Sequence, residues 1–306
     1  MKAIAENECI TEKTAVALGL FDGVHLGHRK IIEFAKRFEK SGFVPAVFTF
    51  KNATVTEKQG RKQEYIYTDC QKNTVLEKLG MKYCFSADFS SLKNLSGEEF
   101  MREILIKKLN AYHVVCGHDF RFGRNAECGI EELIGYGKKH GFGVVIGPDI
   151  MCDGEKISSG KIRTLLAEGE ICHANSLLGA RYNITGEVVH GNRIGRTIDF
   201  PTINQCFAEN QLVPKRGVYH TLTEIDGRKY TSVTNVGVKP TVEKNIQPLA
   251  ETHILDFSGD LYGKNIKVEF CGYIRGEKKF ASVEELKNQI SADTEAVRTA
   301  SEGGIL

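Results

Sequence analysis

The hydrophobic rhythm of the chain changes near Ala180, and that change restricts the fold more than any other feature. Before it, short apolar runs at residues 15–20, 46–50, 83–85, 113–116 and 143–146 alternate with stretches of helical period near 29–40, 71–79, 97–109 and 131–140. Ser96 and Glu99 form a capping-box pattern ahead of the third of these helices. Strand–helix alternation predicts a parallel α/β sheet with helices on both faces, and ligands at the carboxyl ends of its strands. After the change, residues 182–190, 217–225, 229–236, 251–257 and 266–274 read as closely spaced strands, separated by turns such as Asp226-Gly227 and Ser258-Gly259. That pattern predicts a small antiparallel barrel. A last helix follows, with Ser282 and Glu285 at its start and an apolar stripe of Val283, Leu286, Ile290 and Val297. A chain of 306 residues accommodates both parts, expected as domains 1–180 and 181–306.

A formal charge of +2 gives no reason to expect a nucleic-acid surface. The first twenty residues lack a basic stretch followed by a long apolar one, and no run approaches 18 apolar residues, so neither a signal peptide nor a membrane partner is expected. Nine cysteines are scattered without a C-x-x-C pair, several of them in apolar runs such as those ending at Cys116 and Cys271. Buried thiols in a reducing cytoplasm account for them better than disulfides or metal ligands.

The chemistry is concentrated in residues 17–29, A-L-G-L-F-D-G-V-H-L-G-H-R. An apolar run stops at a glycine-broken turn, and His25 and His28 follow where a helix begins. Residues three apart on one helix face can address the same ligand. The helix N-terminus adds free N–H groups and a positive dipole end, a natural phosphate seat. Gly19, Gly23 and Gly27 let backbone and ligand approach closely. Two exposed turn histidines would look alike, and zinc is the weaker alternative because no third ligand sits nearby.

Two more segments fall in the first half. Residues 157–163, I-S-S-G-K-I-R, open a helix whose serines can cap it, with Lys161 and Arg163 available to phosphate oxygens; a plain helix start would read the same. Residues 117–123, G-H-D-F-R-F-G, make a loop with two aromatics suited to stacking a planar ring, or an ordinary packed loop. In the second half, residues 186–196 supply a glycine-rich loop able to cover phosphates, and in F-P-T-I-N the Thr202 hydroxyl and Asn204 amide oxygen suit a magnesium ion. Glu251 opens the strand E-T-H-I-L-D-F, where a carboxylate can accept a proton from an attacking hydroxyl; a solvent-facing glutamate is the plainer reading.

In order and spacing these segments resemble the bacterial bifunctional riboflavin kinase/FAD synthetase family. G-L-F-D-G-V-H-L-G-H (19–28), G-H-D-F-R-F-G, I-S-S-G-K-I-R, G-N-R-I-G-R (191–196), F-P-T-I-N, G-V-Y (217–219), N-V-G-V-K-P-T (235–241), E-T-H-I-L-D-F and L-Y-G-K (261–264) carry the likeness, with E-E-L-K-N-Q-I-S-A-D (284–293) near the end. The resemblance implies a Rossmann-like nucleotidyltransferase domain followed by a riboflavin kinase β-barrel with a terminal helix. It implies ATP and Mg²⁺ as co-substrate and riboflavin, FMN and FAD as partners, with no permanently bound cofactor. By the same resemblance Glu251 is the base of the kinase, Thr202 and Asn204 serve Mg-ATP, and Gly191, Gly195 and Arg196 lie over its phosphates. His25 and His28 stabilise charge in the adenylyl transfer, with Gly19, Phe21, Gly23, Gly27, Ser159 and Arg163 around ATP. Asp119, Phe120, Phe122 and Arg298 are implied to face the flavin. The chain departs from the family pattern at Phe50-Lys51-Asn52-Ala53-Thr54, where a P-H-P-like segment is usual, at Cys128-Gly129-Ile130, and at Ile203, where alanine is usual. A kinase with a silent first domain, and a flavin-binding regulator without turnover, are the competing readings.

Overall fold

The second strand of the first sheet, T-A-V-A-L, is buried at all five positions, as a strand covered on both faces must be. It is β2 (Thr14–Leu18) of six parallel strands: β1 (Lys2–Ala3), β3 (Val44–Phe50), β4 (Tyr83–Ala87), β5 (Ala111–Gly117) and β6 (Gly143–Gly147). Their spatial order is β1-β4-β3-β2-β5-β6. The chain winds outward from β2 in one direction through β3 and β4, then in the other through β5 and β6. The crevice at the carboxyl ends of β2 and β5 is therefore the topological switch point where such sheets bind ligands. The computed structural model describes residues 1–52, 57–58, 61–62, 64–191, 200–240 and 246–302. It divides into two units, Met1–Ser159 and Gly160–Leu306.

The helices α1 (Leu26–Arg37), α2 (Asp69–Lys78), α3 (Ile130–His140), α4 (Ser159–Glu168) and α5 (Ile171–Leu178) follow the expected pattern, save that α5 left no clear signal in the sequence. The Ser96–Glu99 capping box forms with both reciprocal bonds. The helix it opens is not the plain α-helix expected over 97–109: beyond Glu99 it winds as a π-helix, Phe100–Lys108. Phe100, Met101, Ile104, Leu105 and Lys108 form its buried face. There the Lys108 ammonium donates to the carbonyls of Ala5, Glu6 and Glu8 at 3.1, 2.7 and 2.9 Å.

The second unit is a single antiparallel sheet of β7 (Asn183–Glu187), β8 (Thr202–Cys206), β9 (Gly217–Ile225), β10 (Arg228–Pro240), β11 (Ile246–Ile254) and β12 (Asn265–Arg275), ordered β7-β12-β9-β10-β11-β8. Its edges nearly close into a barrel. Gln205 on β8 donates to the carbonyls of Gly186 on β7 and Ile266 on β12, at 2.8 and 2.7 Å, and Val189 N–H reaches Asn204 O at 2.8 Å. Asp226 and Gly227, with φ of 49° and 79°, make the tight β9–β10 turn that the D-G pair announces. Fully buried hydroxyls of Thr223, Ser232, Thr221, Thr234 and Thr252 are chained at 2.7–3.0 Å, so this polar stripe is satisfied internally. The last helix, α6 (Val283–Glu302), docks Val297 against Val218, Val233 and Leu255. A bidentate ion pair from Arg275 to the buried Asp293 holds it, at 3.0 and 2.6 Å.

Candidate active sites

In the first unit the chain leaves β2 through a strained turn. Phe21, Gly23 and Val24 all have positive φ, 52°, 75° and 43°, and only one of them is glycine. The turn is anchored from two sides: the buried Asp22 carboxylate accepts Ile66 N–H at 2.8 Å, and Asp22 O accepts the Ser159 hydroxyl at 2.9 Å. Ser159, the first residue of α4, thus secures the turn with its hydroxyl.

The turn delivers His25 to the N-cap of α1, where its Nδ1 accepts His28 N–H at 3.3 Å. That bond places the proton of a neutral His25 on Nε2. The two imidazoles stack with centroids 3.6 Å apart and 18° between planes, closer than side chains on one helix face would stand, because His25 lies just outside the helix. The Phe21 ring meets His28 edge-on at 5.3 Å. A Cβ on Gly27 would fall 3.1 Å from the His25 ring, and one on Gly19 3.2 Å from the Phe21 ring. Both glycines let this stack close. His28 Nδ1 is shielded and has no hydrogen-bond partner among the described residues.

Burial pushes His25 down to about 4, with Lys156 acting in the same direction and Asp119 opposing. Burial lowers His28 well below the usual range too, reinforced by His25 and Lys72. Both rings are uncharged at neutral pH, so each carries a single N–H at the N-terminus of α1. The stability consequence has a definite sign. An unfolded chain protonates His25 near 6.5 and the folded one only near 4, so this stability is complete at neutral pH and drains as pH falls between those values. Denaturant unfolding of the wild-type chain and of His25→Gln, compared at pH 7.5 and pH 4, is expected to show a wild-type loss larger by about 3 kcal/mol. Equal losses would contradict the burial of this ring.

Along the same edge, after β5, Asp119 pairs with Lys156 at 3.0 Å, and Lys156 also reaches Asp149 at 2.9 Å. Burial raises the Asp119 carboxyl, and the Lys156 partnership more than offsets it, leaving it below its ordinary value. Phe120 is half-buried and stacks on Phe122 at 5.9 Å. Phe122 itself is 6% exposed and set in the core against Phe100 and Tyr136, so Phe120 is the ring with a free approach. Arg163 lies on α4, one turn beyond Ser159. Asp22, Lys72 and Lys156 were not singled out from sequence. Asp22 lay inside the quoted G-L-F-D-G, and Lys156 directly precedes I-S-S-G-K-I-R, but their partners are 137 and 37 residues away or across a helix.

In the second unit, the register of the barrel gathers the expected residues. Asn204 on β8 stands opposite Glu251 on β11, and Thr202 opposite His253. On its other side Glu251 faces Asn235 of β10. Directly opposed residues share a face, so Asn204, Glu251 and Asn235 form a row with Thr202 one step along. Asn204 is 5% exposed, and its Oδ1 has no hydrogen-bond partner among the described residues. Gly191 lies over it: a Cβ there would fall 2.4 Å from Asn204 Nδ2. Gly191→Ala is accordingly expected to displace Asn204 and reduce the chemistry of this site about 100-fold, measured as initial rate against the unaltered rate at the first unit. Gly195 and Arg196 lie outside the described residues.

A cleft of about 480 Å³ is walled by Val188, Pro201, Thr202, Ile203, Thr252, Ile254 and residues 257–262. Ile203 and Thr252 alternate with Asn204 and Glu251 along their strands and belong to the other face of the sheet, while Thr202 at the strand end borders both. Ile203 forms part of its wall. Gly263, at φ 74°, donates to Val188 O at 3.0 Å, which explains the glycine of L-Y-G-K. His190 lies 3.9 Å from the Tyr262 ring centroid to centroid. Arg298 on α6 is exposed and bonded to Asp256 at 2.8 Å. Among the described residues no three His, Cys, Asp or Glu side chains cluster to hold a metal, and no helix is long and apolar enough to cross a membrane. All nine cysteines are free thiols.

A histidine-bearing turn at the switch point of a Rossmann-type sheet, followed by an antiparallel barrel with Asn204 and Glu251 in register, gives the chain the architecture of a two-domain transferase. The family described as FAD synthetase matches residues 7–161, and that described as riboflavin kinase matches residues 178–301. Bifunctional riboflavin kinase/FMN adenylyltransferases of Bacillus subtilis (37% identical, 94% of this chain and 92% of the relative), Listeria monocytogenes (34%, 96% and 95%) and Escherichia coli (33%, 92% and 91%) align over nearly their whole length. A crystal structure described as a macrolide-efflux protein from Streptococcus pneumoniae shares the fold, with TM-score 0.85, 32% identity and 96% of both chains covered. The chain belongs to the bifunctional riboflavin kinase/FMN adenylyltransferase family and carries both steps of FAD formation from riboflavin.

Proposed function

We propose that the barrel phosphorylates the 5′-hydroxyl of riboflavin with Glu251 as general base, and that the first unit adenylylates the resulting FMN around His25 and His28. In the kinase step the hydroxyl oxygen attacks the γ-phosphorus of ATP, its proton passes to Glu251, and ADP leaves. The observation that carries this reading is the in-register row of Asn204 and Glu251, with a buried carboxamide oxygen that has no hydrogen-bond partner among the described residues. Such an oxygen suits a hard cation, so Thr202 and Asn204 would hold the Mg²⁺ of Mg-ATP, and that ion would neutralise phosphate charge. Gly191 keeps Asn204 aimed, and Thr202 also borders the cleft of about 480 Å³, whose size suits a nucleotide.

In the adenylyl transfer the FMN phosphate oxygen attacks the α-phosphorus, and the bond to the β-phosphate breaks to release pyrophosphate. No protein nucleophile is required. His25 Nε2–H and the first N–H groups of α1 donate to the charge that accumulates, with His28 stacked against them. Ser159 holds the turn, Arg163 and the N-terminal part of α4 attend the pyrophosphate, and Phe120 offers the flavin a ring beside Asp119. Arg298 contributes to the riboflavin side of the barrel by leaving Asp256. A reducing cytoplasm suits this reading, and the nine free thiols support it. One chromatographic time course with riboflavin, ATP and Mg²⁺ tests the whole assignment: FMN should rise first and FAD follow. FMN alone would mean a silent first unit, and flavin binding without ATP consumption a regulator.

A further inference from the structure

Lys72 carries a charge that neither reaction, as assigned above, uses. It is 1% exposed on α2, with its ammonium bonded to Phe50 O at 2.8 Å, Asn52 Oδ1 at 3.2 Å and Asp69 Oδ1 at 3.0 Å. Three acceptors match its three N–H donors. Withdrawing an ammonium from water is costly even when paired, and an apolar side chain of similar volume often serves packing as well or better. A buried lysine at such a place therefore needs a reason beyond packing.

Its position supplies one. Phe50 ends β3 at the carboxyl edge of the sheet, and α2 packs on the Asp22–Val24 turn that presents His25 and His28. Asp69 does not cancel the charge evenly, since its carboxylate is 36% exposed to screening water while the ammonium is shielded. His25 and Lys72 act on His28, and Asp119 and Lys156 on His25; the buried Asp22 carboxylate of the same turn accepts Ile66 N–H. The imidazoles are themselves uncharged at neutral pH, so they cannot provide a net positive field to a triphosphate.

We propose that Lys72 is a positioning residue of the adenylyl-transfer site, a fixed cation on the helix packed against the histidine turn that gives the phosphate seat a permanent positive field. This rests on the adenylyl-transfer reading of the first unit. The field acts through the protein rather than by contact, and it attracts ATP and the FMN phosphate while the histidines supply directed hydrogen bonds.

The full-length chain with Lys72→Met, and the double variant Asp69→Asn/Lys72→Met, test this. For both, kcat/KM for FMN adenylylation at neutral pH is expected to fall at least about tenfold, the factor that accompanies one pKa unit of lost interaction. The NMR titration midpoint of the His28 ring, recorded without substrate, is expected to rise in both, because a nearby cation has been removed. FMN formation at the barrel should be unchanged, and dispersed His25 and His28 ring signals report that the first unit is folded. An unmoved His28 midpoint overturns the proposal. So does recovery of wild-type transfer in the double variant, since the single variant's loss would then come from a stranded Asp69. If the wild-type chain makes FMN but no FAD, the adenylyl-transfer reading fails, and the substrate-free titration still decides whether Lys72 governs His28.

Discussion

Replacing His28 with alanine is expected to reduce FAD formation about 100- to 1,000-fold, the range for removing one preorganised donor from developing charge, while FMN formation continues at the wild-type rate. The separation follows from the two units: His28 stacks on His25 and Phe21 within the first, whereas Asn204 and Glu251 pair within the barrel. His28 also forms part of the wall that keeps His25 buried, so the variant loses both a ring and the orientation of its neighbour. Supplying FMN and ATP directly and following FAD by chromatography isolates the step. Undiminished FAD would remove the histidine pair from the mechanism.

Glu251→Gln is expected to do the reverse. FMN formation should fall about 100- to 10,000-fold, as for loss of a general base, and FMN supplied from outside should still become FAD. Glutamine keeps the size and the cross-strand neighbours Asn204 and Asn235, so the change removes the basicity and little else. Measured under saturating riboflavin and ATP, the loss should appear in kcat. Wild-type kcat in this variant would transfer the base role elsewhere.

Much of the architecture was legible because local patterns and the final fold agree. The D-G pair at 226–227 makes the hairpin it announces, Ser96 and Glu99 make their capping box, and residues 217–225 form a strand with the expected bounds. Other features escaped for identifiable reasons. F-P-T-I-N was legible as a set of oxygen donors but not as strand β8, since a single five-residue strand carries too little alternation to separate it from a turn. The π-winding of Phe100–Lys108 has no periodicity signal distinct from an α-helix over nine residues. Phe120 and Phe122 look equivalent two residues apart, yet one is half-buried and the other in the core, a difference set by α3 and the π-helix across the sheet.

The order of motifs along the chain, through its resemblance to a known family, pointed to the two chemistries this protein holds and to the residue types expected at their sites. Those are choices of functional group, and they are written locally. Only the tertiary structure decided how those groups behave. It stacked His25 on His28 and left both uncharged, set opposite Glu251 an Asn204 whose amide oxygen has no partner among the described residues, and buried the Lys72 ammonium on the helix packed against the histidine turn. Desolvation and register arise from segments that meet across tens of residues, so no stretch of sequence states them alone.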